Sequence, residues 1–365
     1  MKTAKAAVMP DFHQPLEIRE FSLPEKIEPG AALVKIEMAG ICGTDVHLWK
    51  GQLPIPRPII MGHETVGVIE RIGKGLETDW TGVPLRAGDR ITWSAGMLCG
   101  HCYHCTVIRQ PTRCLNRNAY GISFNCDDKP HFSGGYAEYI YLRPRTAIFK
   151  LTDVTPEAIT GAGCALVTAI HGLERMGISW GDKVIIQGSG PVGLAALTVA
   201  KSSGASTIIV IGGPAARLQL AQDFGADYTI NIEESADSTA RLDQVKRLTG
   251  GYGADVVIEC VGFPSVVPEG FEMCRDGGKY LVLGHYGDAG STPINPHVIT
   301  RKQLTVYGSW ASEPRHMAAA IDFLRKQGDR FPFDRLVSHR FPLEQANEAL
   351  QTTAHWISGK SVIVP

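Results

Sequence analysis

Over residues 1 to about 150, apolar positions come in short runs that alternate with polar ones, as in Ala32–Met38, Thr65–Ile72 and Arg90–Trp93. Alternation with a period of two gives a half-buried strand. Pro- and Gly-rich punctuation such as Leu53-Pro54-Ile55-Pro56-Arg57-Pro58 separates the runs into turns. From about Thr155 the texture changes. Strand-like runs now lead into longer helical stretches: Lys183–Gln187 into Val192–Ser202, Thr207–Ile211 into Ala215–Phe224, and Val256–Cys260 into Ser265–Cys274, with Tyr280–Leu283 after them. Continuous β-branched runs separated by helices are the pattern of βαβ units and a parallel sheet buried on both faces. After about Thr300 a strand-like Leu304–Gly308, a helix over Arg315–Gln327 and a closing strand Ser361–Pro365 return. The pattern predicts an α/β protein in which a doubly wound parallel-sheet domain is inserted between two pieces of a β-rich domain.

Composition narrows the class. With 44% hydrophobic and 20% charged residues in 365, the chain can bury two cores of ordinary size. Lys and Arg (36) nearly balance Asp and Glu (37), so no long-range field favours nucleic acid or an anionic membrane as a partner. Met1-Lys2-Thr3-Ala4-Lys5 leads directly into strand-like alternation without the apolar stretch of a secretion signal. The most apolar segment, Val184 to Ala200, contains Gln187, Ser189 and three glycines, and reads as strand–turn–helix rather than a membrane span. Nine cysteines without a secretion signal point to a reducing, cytoplasmic setting, where thiols bind metal more often than they pair.

Three motifs carry chemistry. Gly188-Ser189-Gly190-Pro191-Val192-Gly193 lies between a buried strand and an apolar helix, the setting that G-x-G-x-x-G requires to bind a dinucleotide. Gly188 permits the tight turn, Gly190 lets backbone approach a pyrophosphate, and Gly193 allows close helix–strand packing. The helix start, with Pro191 and Val192, offers N–H groups and its positive end to the phosphates. In the second motif, Cys99, Cys102, Cys105 and Cys114 are separated by two, two and eight residues. Four thiolates suit a closed tetrahedral zinc, whose binding energy folds a loop too poor in apolar surface to fold alone; the interleaved His101 and His104 are alternative ligands. The third set is dispersed: Cys42 in Gly40-Ile41-Cys42-Gly43-Thr44-Asp45-Val46-His47, His63 in Gly62-His63-Glu64, and Cys164 in Gly161-Ala162-Gly163-Cys164. Two Cys and one His leave a tetrahedral zinc one open position, as a catalytic site needs.

Taken together, these motifs and the terminal Gly359-Lys360 resemble the zinc-containing medium-chain alcohol dehydrogenase family over nearly the whole chain. The resemblance implies a catalytic domain shaped like a chaperonin-10 barrel over 1–160 and 303–365, with a structural zinc lobe at about 96–118, and a Rossmann domain over 161–302. It implies that Cys42, His63 and Cys164 hold the catalytic zinc, with Glu64 beside it as an adjunct ligand, and that the chain is a homo-oligomer, a dimer or tetramer. Asp45 would accept from His63 and fix its tautomer. The substrate proton would pass through Thr44 and the nicotinamide ribose to His47 and water, while Thr168 helps position the nicotinamide. The lobe departs from the family's usual spacing by one extra residue, since Thr106 to Arg113 makes eight.

The expected activity is hydride transfer between an alcohol and NAD(P), with two zincs per chain. Small residues at Ser94-Ala95-Gly96 and the apolar Trp49, Leu53 and Trp310 suggest a roomy pocket for a bulky or cyclic secondary alcohol. Threonine or polyol oxidation is the alternative within the family, and a zinc-ribbon interaction module the alternative outside it. At the end of the second parallel strand Gly212 stands where an NAD enzyme of this family carries an acid. That removes the usual repulsion of a 2′-phosphate, yet the next cation is Arg217, five positions on. NAD is the expected cofactor, with NADP possible.

Overall fold

The computed structural model describes residues 2–355 and 359–365. The chain divides into two compact units, Met1–Cys164 with Ser312–Pro365, and Ala165–Ala311.

The first unit is built from mostly antiparallel sheet, with Val337–Phe341 and Lys360–Ile363 its parallel pair. A three-stranded sheet pairs Thr3–Met9 with Glu17–Ser22 and Ile59–Ile60. In a seven-stranded sheet, Ile148–Lys150, Arg90–Trp93, Glu64–Ile72, Ala32–Gly40, Lys360–Ile363 and Val337–Phe341 run in that order, and Tyr139–Leu142 also pairs with Ala32–Gly40. Leu33, Ile69, Ile91, Phe132, Tyr136 and Ile140 are buried in its core. Register does the positioning. Gly40 lies opposite Glu64 on one side and opposite Val362 on the other. Cys42, two residues past Gly40, therefore emerges beside His63 and Glu64, and Lys360 arrives at the same end from its own strand. A side chain at Gly40 would not fit, because an added Cβ would come within 2.8 Å of the Glu64 carboxylate and 3.1 Å of Lys360 Cε.

The second unit is a six-stranded, wholly parallel sheet in the order Tyr228–Asn231, Thr207–Gly212, Lys183–Gln187, Ala254–Glu259, Cys274–Val282, Thr305–Gly308. This is the Rossmann order, with its topological switch between Lys183–Gln187 and Ala254–Glu259, where such sheets bind ligands beyond the carboxyl ends of the strands. Ile185, Ile186, Ile208, Ile209, Val256 and Val257 are all fully buried, as a sheet covered on both faces demands. The doubly wound sheet and the β-rich unit expected from the sequence are both present.

Several elements run beyond the pattern that predicts them. The strand read as Tyr280–Leu283 extends over Cys274–Val282, through Arg275-Asp276-Gly277-Gly278, which reads as a turn in isolation. Tyr228–Asn231 and the helix Ser238–Leu248 carry too few apolar residues to stand out. Tertiary pairing forms that strand, and an Asp237 cap accepting from Thr239 and Ala240 N–H starts that helix. No helix among the described residues is long and apolar enough to cross a membrane.

Candidate active site

Within the first unit, one ligand atom each from Cys42, His63, Glu64 and Cys164 lies within 4.8 Å of the others. Cys42 caps the short helix Gly43–Trp49, donating its N–H to Asp45 Oδ2 at 2.8 Å. Cys164 comes from a helix, Pro156–Met176, that is broken at Gly163 (φ 48°). Only glycine suits that break. Its backbone is left-handed, and an added Cβ would lie 2.3 Å from Glu64 Oε1. The break frees the Cys164 N–H, which donates to Glu64 Oε1 at 2.7 Å. The two thiols stand 3.2 Å apart, far longer than a disulfide and near the roughly 3.8 Å of two sulfurs on one tetrahedral zinc.

The donor set has the chemistry that a cation site needs. The Cys42 and Cys164 thiols share a hydrogen bond, which pulls the Cys42 thiol down to about 5 against its burial and pushes Cys164 well above its usual value. A cation bound between these sulfurs would take the place of the proton they share. Burial opposes charge on His63, but Asp45 and Cys42 outweigh it and raise the imidazole well above its ordinary pKa. Asp45, fully buried, lies 3.3 Å from His63 Nδ1 and leaves Nε2 for a metal. Metal binding here must therefore release protons.

Glu64 is the neutralised member of the set. Burial would raise its pKa, yet the Lys360 ammonium, Cys164 N–H and His63 bring it down to about 2. Lys360 forms an ion pair with Glu64 Oε2, and their side chains are only 6% and 2% exposed. Lys360 is itself raised: burial works against its charge, and Glu64 overrides burial. Sequence reasoning quoted Lys360 as a motif residue without giving it this role. Tyr136, packed beside Asp45 and fully buried, was not singled out at all; nothing in a lone tyrosine marks it.

Thr44 and His47 follow Cys42 on the same helix, three residues apart and so on one face. Thr44 is half-buried and His47 exposed, its Nδ1 against Gln52 Oε1. Trp49 and Leu53 pack against the β-rich core, and Trp310 stacks on Tyr286 in the other unit at 5.6 Å.

The four lobe thiols, Cys99, Cys102, Cys105 and Cys114, also lie within 4.8 Å of one another, with Cys102 3.6 Å from Cys105 and 3.9 Å from Cys114. These separations fit a tetrahedral zinc. His101 turns its Nδ1 to the Cys99 carbonyl at 2.8 Å, and neither His101 nor His104 joins the cluster. The His101 N–H draws the Cys99 thiol down to about 5, whereas burial pushes Cys105 up to about 12. Tyr103, Val107 and Leu115 are 58%, 63% and 70% exposed, so the lobe has little apolar core of its own.

In the second unit, the three fingerprint glycines differ in cause. Gly188 has φ +109°, and a Cβ on Gly193 would lie 1.9 Å from the Gly188 carbonyl, so the fold itself demands both. A Cβ on Gly190 would meet nothing within 4 Å. Packing in the fold does not require that glycine. Gly190 caps the helix Pro191–Ser202, so Pro191, Val192 and Gly193 form its first turn. Gly212 ends its strand with no room for a side chain, since an added Cβ would be 2.5 Å from Ser189 Oγ and 2.9 Å from Ser189 N. Arg217 lies half-buried on the helix Ala215–Asp223, and burial lowers its pKa. Thr168 is half-buried, four residues beyond Cys164 on the same helix.

Two family models match the chain, an alcohol dehydrogenase GroES-like domain over residues 28–153 and a zinc-binding dehydrogenase domain over residues 191–326. Among curated relatives, 5-exo-hydroxycamphor dehydrogenase of Pseudomonas putida is 37% identical over 356 residues, 96% of each chain. Among solved structures, an alcohol dehydrogenase of Thermotoga maritima matches with a TM-score of 0.95 and 35% identity over 100% of both chains. A zinc-binding dehydrogenase of Sinorhizobium meliloti 1021 bound to NADP matches at 0.86 and 29%, again over 100% of both. The chain belongs to the zinc-containing medium-chain alcohol dehydrogenase family. It is an oxidoreductase acting on alcohols with a nicotinamide dinucleotide.

Proposed function

We propose that the chain oxidises a bulky or cyclic secondary alcohol to its ketone, with NAD as hydride acceptor and one catalytic and one structural zinc per chain. The convergence of Cys42, His63 and Cys164 on one point, with Glu64 neutralised by Lys360, carries this reading. Zinc bound there would supply Lewis acidity, lowering the O–H pKa of an alcohol in its open position, and the dinucleotide would accept hydride. The protein's own groups do the rest. Asp45 holds His63 in the metal-binding tautomer, Thr44 takes the substrate proton, and exposed His47 passes it to water. Lys360 neutralises Glu64, so the donor set keeps two negative thiolates for one dication. The lobe cysteines take the second zinc, closed to substrate. The unit Ala165–Ala311, close to the 161–302 expected from the sequence, serves as the dinucleotide domain and the remainder as the catalytic one.

The hydroxycamphor-oxidising relative supports the substrate class, being named for a bulky cyclic secondary alcohol. The test is a panel of cyclic secondary alcohols, primary alcohols, polyols and threonine with NAD and NADP, alongside elemental analysis. Turnover confined to polyols or threonine would overturn the substrate class. One zinc per chain, or none, would overturn the metal assignment. Cys164→Ala should abolish oxidation and lose one zinc while keeping dinucleotide affinity; a variant that stays active would require another third ligand.

A further inference from the structure

Glu259 is the last residue of the strand Ala254–Glu259, at the topological switch of the parallel sheet, and is fully buried. Among the described residues no cation lies within hydrogen-bond reach of its carboxylate; His285 Nε2, buried and without a hydrogen-bond partner, is 3.8 Å away. A carboxylate buried this way is costly unless donors surround it. Here the donors are backbone. Oε1 accepts from Val261 N–H and Gly262 N–H, both at 2.6 Å, and Oε2 accepts at 3.1 Å from Gly284 N–H, which the Glu259 backbone carbonyl shares at 3.1 Å. One carboxylate thus ties together the turns that follow two neighbouring strands.

Those turns are packed as bare backbone. A Cβ on Gly284 would lie 2.4 Å from Gly262 N and 2.7 Å from Glu259 Oε1, and one on Gly262 would lie 2.7 Å from the Gly284 carbonyl. The turn 260–262 also abuts the dinucleotide fingerprint: a Cβ on Gly188 would come within 3.1 Å of the Cys260 carbonyl and the Val261 side chain. Beyond Gly284, Tyr286 stacks on Trp310, whose Nε1 donates to the Tyr286 carbonyl at 3.2 Å. The loop is pinned at both ends.

The geometry points to Glu259 as a positioning residue for the dinucleotide. Its carboxylate fixes, before ligand arrives, the backbone of the turns 260–262 and 284–286 that wall the crevice beside Gly188. A neutral amide there would offer one acceptor oxygen and turn an N–H donor toward the other turn, so the two-oxygen carboxylate is what accepts from both turns at once. The inference rests on the nicotinamide dinucleotide reading of this unit.

The test compares wild type with Glu259→Gln, whose amide turns a donor toward one of the three N–H groups. NADH binding is followed by fluorescence, with KM for alcohol and for dinucleotide, zinc content and Tm measured alongside. NADH Kd and dinucleotide KM should rise about tenfold or more, with alcohol KM within about twofold and zinc retained. A lowered Tm with unchanged NADH Kd would overturn the inference. Wild type that binds neither NADH nor NADPH would overturn the dinucleotide reading, and this inference with it. Should Glu259→Gln not fold, amide hydrogen exchange on ligand-free wild type decides. Slow exchange at Val261, Gly262 and Gly284 supports pre-set turns, and fast exchange there overturns them.

Discussion

At the Glu64 carboxylate two requirements meet. It must sit beside the thiols, where it accepts the Cys164 N–H, and it must not add a third negative charge to the donor set. Lys360 satisfies the second, and because both side chains are buried the pair is strongly coupled. Lys360→Met leaves the carboxylate buried and unpaired, which should cost about 3 kcal/mol or more at neutral pH. Glu64 sits at about 2 in the folded protein against an ordinary 4.5. A depressed carboxylate stabilises the fold above its unfolded pKa, and that stability is lost as pH falls through the interval toward the folded value. The gap between wild type and Lys360→Met should therefore be full near pH 7 and narrow as pH drops below about 4.5. Urea midpoints at the two ends of that range check it, and a constant gap would refute the coupling. His47 makes a different residue-level prediction. Exposed at the end of its helix, it suits proton release rather than packing. His47→Gln should slow oxidation severalfold near neutral pH but little at alkaline pH, where hydroxide takes the proton instead. A loss uniform across pH in the rate profile would assign it a packing role.

Elements decide what sequence could and could not disclose. Lys183–Gln187 and Arg90–Trp93 run as the apolar pattern says, because each is short, β-branched and bounded by turn residues. The Cys99–Cys114 cluster was legible as well, since its spacing in sequence is nearly its spacing in space. The dispersed set was legible residue by residue only through resemblance. What gathers it is the pairing of Gly40 with both Glu64 and Val362, and no local pattern encodes a register between strands so far apart in the chain. The ion pair from Lys360 was hidden for the same reason, as was the helix break at Gly163, which reads as one glycine among several. The lobe yields the prediction at this scale. Tyr103, Val107 and Leu115 are exposed, so apolar burial contributes little to the lobe, and on the two-zinc proposal the metal holds it. Cys102→Ser should lower Tm and solubility and release one zinc, while protein that stays folded keeps most of its kcat. Unchanged Tm with lost turnover would show that the lobe is not structural.

For the whole molecule, the near-zero net charge leaves selection of the dinucleotide to local contacts rather than to a steering field. At the end of the second parallel strand those contacts are few. Gly212 cannot be replaced by an acid without displacing Ser189, whose backbone nitrogen an added Cβ would approach to 2.9 Å. The fold thus forgoes the carboxylate that would hydrogen-bond a ribose hydroxyl and repel a 2′-phosphate. It does not supply the opposite device either. Gly213-Pro214-Ala215-Ala216 carries no cation, and Arg217 stands five residues on, so no close bidentate partner follows the strand for a phosphate dianion that must leave water. An unrepelled but poorly compensated phosphate gives a mild preference for the cofactor without it. The expected outcome is NAD over NADP by of order tenfold in kcat/KM, about 1.4 kcal/mol. Measuring both constants with one good alcohol, together with Kd for NADH and NADPH, checks it. A strong preference for NADP in binding as well as turnover would mean that Arg217 reads the phosphate, and Arg217→Ala would then abolish that preference.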